Sequence, residues 1–373
     1  MKIVVILPGL SMGGAERVAV SLSNWIAKNK NDEIYLINMG YDTKNFEFNE
    51  KLKVYHKEYD TTNIKGLKPI VLIKKLNLKI EYILDILNFI KPDVIFGMLY
   101  LPIYFAWLYK MKNKDVVLIG SERANPNIKN IPISVKINAK VCPMLCDNYI
   151  FQTERVKNMF SKKIKNKGTV IANAVSNPYI SEIEETKRNK VISNMGRLEQ
   201  QKGQDVLIKA FNKVHQKYPE YKLIIYGEGS KEEELRHLIA KLKLEDNVIL
   251  AGKMPKAILE VNESEIFVFP SRYEGMPNAL LEAMACGLPC ISTNCVAGPS
   301  EIIEDGKNGI LVQVDNIEQI AQKIIYLIEN KEIANKMGNE AKKVLINYSI
   351  DNIFNQYYNF FCEVARKKKN NEK

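Results

Sequence analysis

The stretch 265–289, EIFVFPSRYEGMPNALLEAMACGLP, decides how this chain is read. Its first six residues, 265–270, form an apolar run of strand length. A turn follows in Ser271-Arg272-Tyr273 and Glu274-Gly275-Met276-Pro277-Asn278, then the helical pattern ALLEAMACG, closed by Gly287 and Pro289. A buried strand that ends in a Gly/Pro turn and feeds a helix leaves N–H groups without intrahelical partners at the helix start, and these attract anions. Pro277 suits the first helical turn and Gly287 a C-terminal stop. Glu274 and Glu282, eight residues apart, put one carboxylate in the loop and one about a turn into the helix. Carboxylates held rigidly beside an anion site accept hydrogen bonds from sugar or ribose hydroxyls. In isolation the same pair also reads as a helix cap and a surface glutamate.

Working outward, the same rhythm recurs. Val191–Met195 is an apolar run that ends in Gly196-Arg197-Leu198 and continues into Glu199-Gln200-Gln201-Lys202-Gly203, a strand, a turn and a helix start carrying two cations. Leu223–Gly227 leads into Glu228-Gly229-Ser230, and Gly298-Pro299-Ser300-Glu301 opens another helix. In this order GRLEQQKG, YGEGS, FPSRYEGMPNALLEAMACGLP, GPSEII and DGKNGILV resemble the donor half of a nucleotide-sugar glycosyltransferase of family 4, over about residues 190–312. GGAER near the N-terminus and the SERANP segment extend the resemblance over nearly the whole chain. It implies an α/β protein of the GT-B fold, two Rossmann-like domains facing across a cleft, with a C-terminal helix crossing back to the N-terminal domain. Residues 1–176 would bind acceptor, 177–348 nucleotide-sugar, 349–366 would form the returning helix and 367–373 a basic tail.

Composition agrees with a chain of two or three domains. It has 373 residues, 46% of them hydrophobic, with charges of both signs. No uninterrupted apolar run reaches the roughly 18–20 residues that span a bilayer. KIVVIL is followed by Gly9, Ser11 and Glu16 without a small-residue cleavage site, so no signal peptide is expected. Six cysteines lack C-x-x-C spacing and nearby histidines, which favours buried thiols over zinc or disulfides. His56, His215 and His237 lie outside every motif. The net charge of +11 is lopsided: residues 1–176 hold 27 Lys/Arg against 15 Asp/Glu, and the remainder 27 against 28. A basic N-terminal half attracts polyanions or anionic lipid head groups, or is simply a solvated, lysine-rich face.

Alternating strands and helices argue a parallel sheet in each half. In the first, Lys2–Leu7, Glu33–Met39, Val54–Tyr55, Asp93–Phe96, Val116–Gly120, Asn148–Gln152 and Thr169–Ile171 read as strands, and Ala15–Ala27 as a helix. Leu67–Ile90 is amphipathic, fitting core packing or membrane contact. Residues from Asn173 to about Lys190 lack apolar periodicity and read as a linker. Ile317–Asn330, Lys331–Ile346 and the aromatic-rich Ser349–Ala365 read as helices, and the tail from Arg366 as disordered or membrane-touching.

A glycosyl donor presents a nucleoside, a diphosphate and a sugar. Breaking its anomeric bond leaves about one extra negative charge on the diphosphate, which fixed positive charge stabilises selectively. Arg197 and Lys202 are the candidates, Arg as a two-pronged donor and Lys as a point charge. Gly275, Met276, Pro277 and Asn278 would border the same diphosphate, with Gly275 permitting close approach and Met276 packing. Gly196 and Gly227 end their strands beside it. By resemblance, Glu282 accepts the ribose hydroxyls and Glu274 stands near the donor sugar; whether Glu274 is a nucleophile is open. Gly13 and Gly14 would let backbone approach donor and acceptor. Glu16 and Arg17 line the acceptor side or cap and solvate a helix. Many relatives carry a histidine where this chain has Arg123, so a histidine-centred scheme loses support; Glu122 could orient the acceptor hydroxyl. The resemblance implies retention of anomeric configuration by a front-face route in which the departing phosphate takes the acceptor's proton. No Asp-x-Asp occurs, and Arg197 and Lys202 can replace a metal, so no metal and no cofactor is expected.

The expected function is transfer of a galactose-, N-acetylgalactosamine- or glucose-type hexose from a UDP-sugar to a polyprenyl-diphosphate-linked or nascent bacterial surface glycan, at the inner face of the cell membrane. A nucleotide-sugar epimerase with the same two domains, or a basic nucleic-acid-binding module, are the alternatives. The second explains the charge but not the motifs, since no aromatics interleave with Lys/Arg.

Overall fold

The structure, a computed structural model, describes residues 1–10, 14–40, 46–56, 68–121, 133–184 and 187–371. Two compact units divide the chain, Met1–Ser176 together with Ile350–Lys373, and Asn177–Ser349.

The first unit is built on β1 (Lys2–Leu7), β2 (Glu33–Asn38), β3 (Lys53–His56), β4 (Val94–Met98), β5 (Val117–Ser121), β6 (Asn148–Phe151) and β7 (Gly168–Val170). All pair in parallel, in the order β3-β2-β1-β4-β5-β6-β7. Val5 of β1 sits between Leu36 and Phe96 of its neighbours. Central strands of a parallel sheet are covered on both faces, which is why β1 and β4 are apolar at successive positions and not at alternate ones. Helices α1 (Gly14–Asn29), α2 (Lys68–Ile90), α3 (Tyr100–Lys112) and α4 (Ile133–Leu145) carry the crossovers.

The second unit holds β8 (Asn189–Met195), β9 (Lys222–Tyr226), β10 (Val248–Gly252), β11 (Ser264–Phe269), β12 (Cys290–Thr293) and β13 (Ile310–Val312), ordered β10-β9-β8-β11-β12-β13 and again parallel. Its core gathers Ile192, Ile225, Ile266 and Ile291 from the strands with Leu207, Phe211, Ile320 and Ile324 from helices. In both sheets the chain runs outward on one side of its first strand and then returns to the other side. The reversal points are β1/β4 and β8/β11. At such a point neighbouring crossovers lie on opposite faces, leaving a crevice beyond the carboxyl ends of the strands.

The C-terminal helix Ile350–Asn371 belongs to the first unit. Trp25 Nε1 donates to Asp351 Oδ1 at 2.6 Å, and the Phe96 ring lies 5.9 Å from Tyr357 and 5.4 Å from Phe361. Its aromatics are packing.

Several sequence expectations need correction. The tail does not leave the helix at Arg366: Lys367 bonds Glu363 one turn back and Lys369 reaches Asp93 at 2.8 Å, which continues the helix to Asn371. The segment 331–346 breaks into Lys331–Ala341 and Val344–Asn347. The supposed linker contains the 3₁₀ turn Pro178–Glu182, started by Asn177 Oδ1 accepting from Tyr179 N. Pro277 sits one residue before the helix Asn278–Ala285, as its cap, and not inside the first turn.

Candidate donor-binding site

The loop after β8 is locked to the loop after β9. Gly196 N donates to the Tyr226 carbonyl at 2.9 Å, Leu198 N to Glu228 at 3.0 Å, and Lys231 N to Leu198 at 2.9 Å. A β-carbon on Gly227, whose φ is +145°, would lie 2.0 Å from the Gly196 carbonyl oxygen, so this approach demands glycine. Beyond it, Gln200–Lys202 makes one 3₁₀ turn and Gly203, at φ +67°, starts the helix Gln204–Lys217.

That turn delivers Lys202 to Glu274. Lys202 Nζ stands 2.6 Å from Glu274 Oε1 and 5.2 Å above the Phe269 ring centre, with its stem alongside Gly196. Glu274 is only 6% exposed. A buried carboxylate without a cation is costly, so the pair is stable only while both members stay. Arg197 is exposed on the same loop, its carbonyl accepting from Gln204 Nε2 at 3.0 Å. Glu282, 4% exposed, accepts from Asn177 Nδ2 at 3.1 Å. Neither glutamate is therefore a surface residue, and Glu274 does not cap the following helix. Met276 is buried, and the Gly275–Pro277 loop is closed from the other side by Gly298, where a β-carbon would meet the Gly275 carbonyl at 2.6 Å.

A clamp that the sequence did not reveal fixes the two loops against each other. Arg272 donates through Nη1 and Nη2 to both carboxylate oxygens of Asp205, at 2.9 and 2.8 Å. It also donates through Nη1 to the Gln200 carbonyl at 2.6 Å and through Nε to Asp315 at 2.7 Å. Gln201 Nε2 donates to the Tyr273 carbonyl at 2.8 Å, and Arg272 N to the Gln201 carbonyl at 2.7 Å. Burial pushes the Asp205 carboxyl up, but the Arg272 guanidinium outweighs this and holds it below its ordinary value. No local signal marks this cluster, because its three charged members lie far apart in the chain. Cys295 is a buried neighbour of another kind: burial, with the Glu274 charge adding to it, pushes its thiol up to about 12, which keeps it protonated.

In the first unit, Gly14 begins α1 and the half-buried Glu16 and Arg17 stand in its first turn. Gly13, Glu122 and Arg123 lie outside the described residues. At the carboxyl end of β4, Leu99 adopts φ +69°, ψ 177°, a conformation that costs a side-chain-bearing residue of order 1–3 kcal/mol. A leucine offers no sequence sign of such strain. It sits at the sheet's reversal point.

Two Rossmann-like parallel sheets in one chain are the GT-B fold, and a cation–carboxylate pair stands at the reversal point of the second. Residues 177–344 match the family model described as "Glycosyl transferases group 1". An uncharacterized glycosyltransferase of Haemophilus influenzae is 28% identical over 93% of this chain and 96% of its own length. A Campylobacter jejuni N-acetylgalactosamine-N,N'-diacetylbacillosaminyl-diphospho-undecaprenol 4-alpha-N-acetylgalactosaminyltransferase is 26% identical, covering 91% and 94%. Anabaena HepE, solved with UDP-glucose, superposes with a TM-score of 0.76 at 17% identity over 98% of this chain and all of its own, a likeness of fold. The chain is a glycosyltransferase, and its residues 177–344 are a group 1 glycosyltransferase domain.

Proposed function

We propose that this enzyme is a retaining, metal-independent family 4 transferase. It moves a hexose of the galactose, N-acetylgalactosamine or glucose type from a UDP-sugar to a lipid-linked or nascent bacterial surface glycan. The observation that carries the reading is the Lys202–Glu274 pair beside the start of the Asn278–Ala285 helix, with Arg197 on the same loop. The Campylobacter relative's acceptor, a glycan carried on diphospho-undecaprenol, and the UDP-glucose bound by HepE support the substrate classes.

In this scheme the diphosphate lies against Arg197, Lys202 and the N–H groups that open the helix, and Glu282 takes the ribose hydroxyls. As the anomeric C–O bond breaks, its electron pair moves to the phosphate oxygen, where the two cations stabilise the new charge. The same oxygen then accepts the proton of the acceptor hydroxyl as that hydroxyl bonds to the anomeric carbon from the same face. Glu274, released from its bond with Lys202, faces the donor sugar. Gly13, Gly14, Glu16, Arg17, Glu122 and Arg123 serve donor approach and the acceptor. The basic residues of the first 176 hold the enzyme at the anionic inner face of the cell membrane.

Purified protein with UDP-hexoses and polyprenyl-diphosphate acceptors tests the proposal. Acceptor-dependent UDP release, with retained anomeric configuration in the product by NMR and no loss on chelation, is expected. Donor isomerisation without acceptor would overturn it. A panel of UDP- and GDP-sugars read by mass spectrometry identifies the donor, since that choice rests on a few pocket contacts.

A further inference from the structure

We propose that the outward face of α4 lies on the surface of an anionic bilayer, seating three apolar side chains among the lipid head groups. This rests on the reading that the enzyme works at a membrane, and names the part that touches it. The sequence of α4 is ISVKINAKVCPML, and its buried side is accounted for by Ala139, Cys142 and Pro143. Tyr104 of α3 donates to Asn138 Oδ1 at 2.9 Å, fixing which side faces in. At about 100° per residue, Ile133, Ile137, Lys140 and Met144 fall in one sector of about 60° on the opposite side, with Lys136 beside it. The three apolar side chains of that sector are 77%, 54% and 62% exposed.

An outward helix face in a soluble setting carries charge of both signs. In the second unit, the helix Glu232–Lys241 turns an Arg236–Glu232 pair to solvent. By contrast α4 has no carboxylate at all, and its only charges are Lys136 and Lys140. Apolar residues flanked by lysines and nothing acidic match an interfacial helix, whose aliphatic side chains enter the head-group region while lysine stems snorkel to phosphates. The charge complements an anionic leaflet, as does the excess of 27 Lys/Arg over 15 Asp/Glu in residues 1–176. Position adds to this. The chain leaves β5 at its carboxyl end and re-enters at the amino end of β6, so Ile133 and Ile137 stand toward the sheet end that carries Leu99 and the start of α1.

The test is co-sedimentation of the full chain with large vesicles, either equimolar phosphatidylglycerol and phosphatidylcholine or phosphatidylcholine alone. Wild type is expected to bind the anionic vesicles and to be released by salt. Ile133→Glu/Ile137→Glu/Met144→Glu should lower the bound fraction by about tenfold or more. Lys136→Ala/Lys140→Ala should weaken binding to anionic vesicles alone. Because these side chains are exposed, thermal melts of both variants should match wild type. Binding by the triple variant equal to that of wild type overturns the proposal, as does a dimer in vesicle-free solution that the triple variant abolishes. Failure of wild type to bind any vesicle overturns both this face and the membrane part of the proposed function. The donor chemistry is read separately, through turnover of an Arg197→Ala variant.

Discussion

At the scale of the residue, the proposed site turns on one lysine and its buried carboxylate partner. In the present structure Lys202 neutralises Glu274; with a donor bound, a diphosphate would compete for the same ammonium. A cation that strengthens its contact as charge develops lowers the barrier, whereas one that binds ground and transition states equally does not. Arg197→Ala or Lys202→Ala should therefore each reduce turnover by about 10²-fold or more, with the fold preserved by circular dichroism. Lys202→Ala carries an added cost that Arg197→Ala lacks, since it strands a carboxylate only 6% exposed. The double variant Lys202→Ala/Glu274→Gln should recover thermal stability over the single one without recovering turnover, as read by melts and UDP-release assays side by side. Full activity in both single variants would remove the phosphate assignment.

At the scale of the element, two strand-end loops are useful only if they hold a common register, and Arg272 sets it. Its guanidinium spans Asp205 on one helix, the Gln200 carbonyl in the 3₁₀ turn, and Asp315. Arg272→Ala should cost about 1.5–3 kcal/mol in chemical denaturation, the range for hydrogen bonds to charged groups. It should also lower kcat more than it raises donor KM, because it loosens the turn that aims Lys202. The pH dependence has a definite sign. Asp205 is held below its ordinary 3.8, so its contribution is complete above that pH and is lost as acid takes it through its lower folded-state value. Melts below about pH 4 should then fall more steeply for wild type than for Asp205→Asn. Gly203 tests the same register by sterics. At φ +67° and with a β-carbon 2.2 Å from the Pro270 carbonyl oxygen, Gly203→Ala has to move either the 3₁₀ turn or the end of β11, and should lower the melting temperature.

At the scale of the whole molecule, the second unit is an insertion. The chain leaves the first unit after Ser176 and rejoins it at Ile350. The C-terminal helix covers Phe96 and Trp25 with Tyr357, Phe361 and Phe354, so residues 1–176 alone would expose that aromatic layer. Residues 177–349 expressed alone should fold cooperatively and bind UDP, whereas 1–176 alone should aggregate or bind a hydrophobic dye. Phe361→Ala, at a fully buried position, should cost about 3–5 kcal/mol and act on the unfolding transition of the first unit only.

Much of this was legible in the one-dimensional string. Apolar runs ending in glycine located strands, as β8 before Gly196 and β9 before Gly227, because a buried parallel strand needs apolar residues on both faces and a tight turn needs glycine. The turns offered Arg197, Lys202 and Glu274 as candidates, the helix after β11 offered Glu282, and the family resemblance supplied the roles of the two glutamates. What local pattern could not supply were partners brought together from distant parts of the chain. They include Lys202 on Glu274, Asn177 on Glu282, Arg272 between Asp205 and Asp315, and Lys369 on Asp93, which turned an expected loose tail into helix. Nor could it show the left-handed backbone of Leu99 or the outward set of Ile133, Ile137 and Met144. Periodicity and turn chemistry act over a few residues and so are written in sequence. Charge pairing, burial and strain depend on which distant segments meet, and only the folded chain decides that.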